Sequence, residues 1–171
     1  MTLDEAIQIM TNEIVSILAD NKPTIYLFGS VVLDDFKLGW SDIDIFVLTE
    51  DRITEQKANT LVGLRQDMLE RDPSNSYFRL FESGMLSKKA FFNNEKDTVV
   101  YWGTSGQRIT DTYGIDSFAT AELLENGVLI CGEDVRNKVT YPTREQFIYD
   151  IRRHYDSIRQ YGTHGWGWLW I

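Results

Sequence analysis

Disulfide bridges within this chain are excluded from the outset: Cys131 is its single cysteine in 171 residues, and one thiol has no internal partner. No apolar run approaches the ~20 residues that a membrane-spanning helix needs, and Met1–Asp20 lacks the basic, apolar and small-residue succession of a secretory leader. The expected compartment is therefore the cytoplasm. Basic residues are also in deficit. Seventeen Lys and Arg stand against 26 Asp and Glu, a formal net charge of −9. That excludes broad, sequence-independent nucleic-acid binding, which rests on a basic surface neutralising phosphates. The acidic balance suits a cationic small molecule, or serves solubility alone. Apolar residues are plentiful: 43% hydrophobic and 13% aromatic is globular composition. A chain of this length buries roughly two-thirds of its unfolded surface without staples.

Apolar residues recur at helical spacing over Thr2–Ala19, with Thr2 and Glu5 in the form of a capping box. Asn21-Lys22-Pro23 ends that helix, and Thr24–Phe28 follows as a short strand apolar enough to be buried on both faces. Asp42–Leu48, rich in β-branched residues, is the clearest strand, and Thr54–Glu70 a helix with Ala58, Leu61, Arg65 and Met68 on one face. Further strands are expected at Tyr77–Leu86 and Thr98–Trp102, separated by a polar loop around Asn93–Asp97. Asp116 reads as the N-cap of a helix to Asn126, with Gly127 as its C′ residue, and Val128–Gly132 as a returning strand. A last helix opens at Pro142, where Thr143 and Gln146 again match a capping box. The fold class expected is α/β (α+β), a small mixed twisted sheet with helices mainly on one face.

The chemistry is concentrated in two short segments. Side chains alternate along a strand, so Asp42 and Asp44 should project together while Ile43 and Ile45 enter the core. Two close carboxylates on a rigid strand are unfavourable unless cations neutralise them, and hard oxygen ligands suit Mg²⁺ shared with substrate phosphates. Upstream, Gly29 lets backbone approach a phosphate closely, Ser30 offers a hydroxyl and an N–H, and the helix start after it offers further N–H groups. A third acid is expected on a neighbouring strand, where Glu82 is the one acidic residue of Tyr77–Leu86. It either completes a metal shell or acts as general base; the alternative is a salt-bridged edge residue beside Arg79.

Leu27-Phe28-Gly29-Ser30 followed by Gly39-Trp40-Ser41-Asp42-Ile43-Asp44-Ile45 resembles the signature of the nucleotidyltransferase superfamily related to DNA polymerase β. Within it the sequence is most similar to bacterial aminoglycoside adenylyltransferases of the streptomycin/spectinomycin kind. Val100-Tyr101-Trp102-Gly103 and Ala121–Leu124 leading to Leu129–Gly132 fall in the same order. The resemblance implies Gly29 and Ser30 on nucleotide phosphates, Asp42 and Asp44 on Mg²⁺, and Glu82 as third carboxylate or base. It implies two Mg²⁺ ions, ATP or another nucleoside triphosphate as co-substrate, and transfer of AMP to a hydroxyl of a small, cationic, aminoglycoside-like acceptor, hence antibiotic resistance. The other function considered is a toxin–antitoxin or regulatory module of the same fold that acts on or binds a protein partner. Such families continue into a C-terminal helical domain. Residues 1–140 are accordingly read as the catalytic domain and 141–171 as the opening of a truncated helical one. The tail Trp166, Trp168, Trp170 and Ile171 is expected to meet a missing domain or a protein partner.

Several residues have plainer readings. Ser41 is expected to cap a turn, Asp34 and Asp35 to end a short helix in solvent, and Cys131 and Trp102 to lie in the core. His154 and His164 have no partner at metal-ligand spacing. Lys88, Lys89 and Arg108 are expected on the surface.

Overall fold

The structure is a computed structural model in which residues 1–103 and 106–163 are described; His164 and the tryptophan tail expected to meet a partner lie outside them. Six strands form one sheet: β1 Thr24–Phe28, β2 Ile43–Thr49, β3 Phe81–Ser87, β4 Val99–Gly103, β5 Gly106–Thr110 and β6 Val128–Cys131. Their spatial order is β5-β4-β3-β2-β1-β6. β2 and β3 run parallel, and every other neighbouring pair is antiparallel. This is the mixed sheet expected.

Two long helices, α1 Leu3–Leu18 and α2 Glu55–Arg71, cover one face. The capping box of α1 is present: the Thr2 N–H donates to the Glu5 carboxylate at 2.7 Å and the Glu5 N–H to Thr2 Oγ1 at 3.2 Å. Its Ala6, Met10, Ile14 and Leu18 are wholly buried against Ile25, Ile43, Ile45 and Val47 of the sheet. Each of the larger side chains contributes about 1.5–3 kcal/mol by leaving water. Trp102 of β4 is buried on the same face and donates its indole N–H to Leu61 O of α2 at 2.9 Å. The alternate residues, Tyr26, Phe46, Leu48 and Leu86, enter a smaller cluster on the other face. Short helices α3 Lys88–Asn93 and α4 Ser117–Glu125 contribute Ala90 and Leu123 to it. The last helix, α5 Arg144–Thr163, opens with the expected reciprocal bonds between Thr143 and Gln146.

Three expectations are corrected. The strand expected from Tyr77 begins at Phe81. Asn75 Oδ1 accepts the N–H groups of Tyr77 and Phe78, so Phe78–Leu80 winds into a 3₁₀ turn instead of pairing. The polar segment after β3 contains α3, because Ser87 Oγ accepts the Ala90 N–H and nucleates it. β5 was not anticipated: its exposed, polar Gln107 and Arg108 give no apolar alternation to read. Gly127 is the C′ residue expected, following the C-cap Asn126 without a positive φ; glycine fits there because a Cβ would strike Leu123 O.

Candidate functional site

The parallel pairing of β2 with β3 places Asp44 directly beside Glu82, and the antiparallel pairing of β1 with β2 places Phe28 on the other side of Asp44. Three strand ends therefore meet at one point: the start of β2, the start of β3 and the exit of β1 into Gly29. Asp42 stands one residue before β2, and both aspartates and Glu82 are half-buried. Glu82 is on an interior strand, which corrects the edge-residue alternative.

Gly29 is required twice over. Its φ of +76° lies in the left-handed region, and a Cβ there would strike the Asp44 carboxylate. The segment after it is a single 3₁₀ turn, Gly29–Val31, held by bonds from the Val32 and Leu33 N–H groups to Gly29 O. This is the short helical turn expected there, and a single turn carries little of the dipole expected with it. Ser30 Oγ donates to Asp42 O at 3.5 Å and ties the two segments together. Ser41 Oγ accepts the Lys37 N–H at 3.0 Å, the turn role expected of it. Asp34 adopts a φ of +56°, ending the turn in solvent.

Burial pushes the Asp44 carboxyl up to about 7, and the charges of Glu82, Asp42 and Glu122 of α4 add to the effect. Asp42 is also raised by burial, with Arg65 acting in the opposite direction. No cation acts on Asp44 in the same way: the charges that reach it are all negative. Among the described residues no three His, Cys, Asp or Glu side chains are drawn together closely enough to hold a metal ion by themselves. Mg²⁺, however, takes one or two carboxylates and completes its shell with substrate phosphates and water. The hard-oxygen donors and the uncompensated charge at Asp44 fit that ion in company with a triphosphate.

Three neighbours escaped sequence reasoning. Arg65 of α2 lies within electrostatic reach of Asp42 and Glu82; its position on the apolar face of the helix was visible, but not where that face ends. Tyr113, in the loop before α4, packs its ring over Gly84 so closely that a Cβ there would strike it. Its ring also meets Phe46 and Tyr101, and burial raises its hydroxyl pKa, helped by Tyr101, Asp44 and Glu82. Glu122 comes from α4 on the same face. Tyr113 also lines a cavity of about 870 Å³ that continues between α4 and α5, past Asp116, Thr120, Gln146 and Tyr149. Arg108 lies 4.3 Å from the Tyr101 ring centre.

Other expected residues stand apart from this site. Lys88 is not a surface residue: its side chain is 12% exposed and pairs with Glu50 at 2.8 Å and Glu133 at 3.3 Å. His154 bonds Asp116 at 2.8 Å, joining α5 to the N-cap of α4. Cys131 is half-buried on the edge strand β6, and burial raises its thiol pKa. No helix among the described residues is long and apolar enough to cross a membrane.

The sequence of residues 11–94 matches the family model described as a nucleotidyltransferase domain. That span runs from α1 past Glu82 to the end of α3. No curated protein matches the sequence. Among solved structures the fold is similar to the spectinomycin adenyltransferase AAD(9) from Enterococcus faecialis, solved with ATP and spectinomycin. The TM-score is 0.62 at 18% identity, over 94% of this chain and 67% of that one. A toxin-antitoxin solved with AMP-PNP matches with a TM-score of 0.38 at 17% identity, over 89% of this chain and 92% of that one, a likeness too distant to inform this chain's partners. Residues 11–94 thus match a nucleotidyltransferase domain in sequence, and the chain shares its fold with an adenyltransferase.

Proposed function

We propose that the chain transfers AMP from ATP to a hydroxyl group of a small cationic molecule of the aminoglycoside class. Asp44 is the observation that carries this: a half-buried carboxylate beside Glu82 and against the backbone of Gly29, its pKa pushed to about 7 by burial and by the charges of Glu82, Asp42 and Glu122. Asp42, Asp44 and Glu82 would hold Mg²⁺, two ions in the full site, which neutralises phosphate charge and clamps the attacking and leaving oxygens. The Gly29 and Ser30 backbone would receive the triphosphate where no side chain obstructs it. The acceptor oxygen attacks the α-phosphorus in line, the bond from that phosphorus to the β-phosphate oxygen breaks, and pyrophosphate leaves. Glu82 takes the hydroxyl proton, a step worth about 10²–10⁴-fold in such reactions.

The acceptor class has two supports. One is the likeness to a spectinomycin enzyme, and the other is the net charge of −9, which attracts a polycation. The cavity beyond Tyr113 offers the acceptor room on the same face of the sheet as Asp44. In the same proposal residues 141–171 open a helical unit. On α5, Ile148, Ile151, Tyr155 and Ile158 are exposed at helical spacing, as they would be where further helices pack.

Calorimetry of ATP binding with and without Mg²⁺, joined to pyrophosphate release across a panel of aminoglycosides, tests this directly. Metal-dependent binding that disappears in Asp42→Ala/Asp44→Ala, with release on one acceptor, is the expected result. Failure of the wild-type chain to bind any nucleoside triphosphate sinks it.

A further inference from the structure

Arg65 is the cation nearest in kind to what the carboxylates need, yet the structure commits its guanidinium elsewhere. Nη1 donates to Phe81 O at 2.8 Å and Nη2 to Arg79 O at 3.0 Å. In the amide orientation that its neighbours require, Gln107 of β5 accepts from Nε at 3.1 Å and donates to Val62 O at 3.0 Å. These bonds sit at a critical place. Arg79 and Phe81 flank the point where the 3₁₀ turn becomes β3, and the next residue is Glu82, in register with Asp44.

A half-buried guanidinium is most stable with its donors satisfied and its charge met by opposite charge. Here the fork is filled by backbone carbonyls, and the charge is met through space by Glu82 and Asp42. The division has a consequence. None of these three bonds ends on a carboxylate oxygen, so Arg65 acts on Asp42 and Glu82 through its charge. Lysine, a single point of charge, cannot bridge two carbonyls and an amide in this planar arrangement.

We propose that Arg65 is a positioning residue of the nucleotidyl-transfer site: it anchors the entrance of β3 so that Glu82 stands beside Asp44, and it holds a fixed positive charge behind Asp42 and Glu82. This rests on the assignment of these carboxylates to metal-dependent nucleotide binding. Its action through Glu82 distinguishes it from a residue that merely supports the fold.

A double-mutant cycle on binding of ATP with Mn²⁺, a paramagnetic substitute for Mg²⁺, tests it. The chains compared are wild type, Arg65→Gln, Arg65→Lys, Glu82→Gln and Arg65→Gln/Glu82→Gln, each checked for a cooperative thermal transition. Arg79→Gln, on an exposed side chain, is the control and should stay within about twofold of wild type. Arg65→Gln should weaken binding about tenfold in the wild-type background and less than about twofold in the Glu82→Gln background. Arg65→Lys, which keeps the charge and loses the fork, should fall between. Equal losses in both backgrounds, or no loss in either, overturn the proposal while leaving the nucleotide site intact. No metal-dependent binding by the wild-type chain overturns the underlying assignment and this inference with it.

Discussion

The two ends of the β2–β3 pair are built from the same kinds of residue and treated in opposite ways. At the far end, Asp97 is almost wholly buried, and every bond it makes is structural. It accepts the Ser87 N–H at 2.9 Å and the Thr98 N–H at 2.7 Å and pairs with Arg52 at 3.3 Å. Lys88 beside it is shared between Glu50 and Glu133. At the near end, Asp44 is surrounded by Glu82, Asp42 and Glu122, and the nearby Arg65 spends its hydrogen bonds on backbone and amide oxygens. One end satisfies its charges within the chain and gains stability from them. The other gathers acids around Asp44 and pushes its carboxyl up to about 7, as a site does when a ligand is to complete it.

Substitution of Asp44 should break this contrast most completely. Asp44→Asn is expected to weaken Mg²⁺-dependent ATP binding at least about 100-fold, measured by calorimetry. It should at the same time stabilise the metal-free fold. The folded-state pKa, about 7, lies well above the ordinary carboxylate value of 3.8, so ionised Asp44 opposes folding increasingly as pH rises from about 4 to about 7. The neutral side chain removes a penalty of at most about 4 kcal/mol at pH 8. Melting temperatures should therefore rise at pH 8 and converge with wild type below pH 4.

Gly29→Ala comes next. With a φ of +76° and the Asp44 carboxylate in the way, it should cost about 2–3 kcal/mol and impair ATP binding. Gly39→Ala, at φ +91° with open space around it, should cost about 1 kcal/mol from backbone strain alone. Comparable urea midpoints for the two variants would show that contact with Asp44 is not what excludes a side chain at 29.

At the opposite end the effects should be on folding only. Asp97→Ala strands the Ser87 and Thr98 N–H groups and should cost about 1–3 kcal/mol, with ATP affinity unchanged within twofold. Lys88→Met is the mildest, under about 1 kcal/mol, since both carboxylates it meets are largely exposed. A large loss of nucleotide affinity in either variant would show that the two ends are not independent.

The near end was the more legible of the two in the sequence, because its chemistry lies in short contiguous segments. Gly29-Ser30 and Ser41–Asp44 could be joined into one site from spacing and strand alternation. Glu82 could be added as the one acid of its strand, although that strand starts four residues later than its apolar pattern suggests. Asn75 takes the backbone N–H groups that would have extended it. Arg65, Tyr113 and Glu122 reach the site through tertiary packing, from α2, a loop and α4, and local pattern carries no record of where those elements dock. β5 was invisible for a related reason, being an edge strand whose exposed residues need no apolar alternation. Lys88 looked like any surface lysine until β2 and the loop after β6 brought Glu50 and Glu133 to it.

The single parallel pairing in the sheet also bears on how the protein acquires its site. Hairpin neighbours such as β1–β2 and β4–β5 can zip from a nearby turn, but Asp44 and Glu82 lie on strands that meet only after the α2 crossover has closed. Closing so long a loop costs entropy before any contact repays it. The pairing of Asp44 with Glu82 should therefore be among the last features to assemble during folding. Nucleotide added to a refolding chain should then slow its unfolding and leave the early folding phase unaltered.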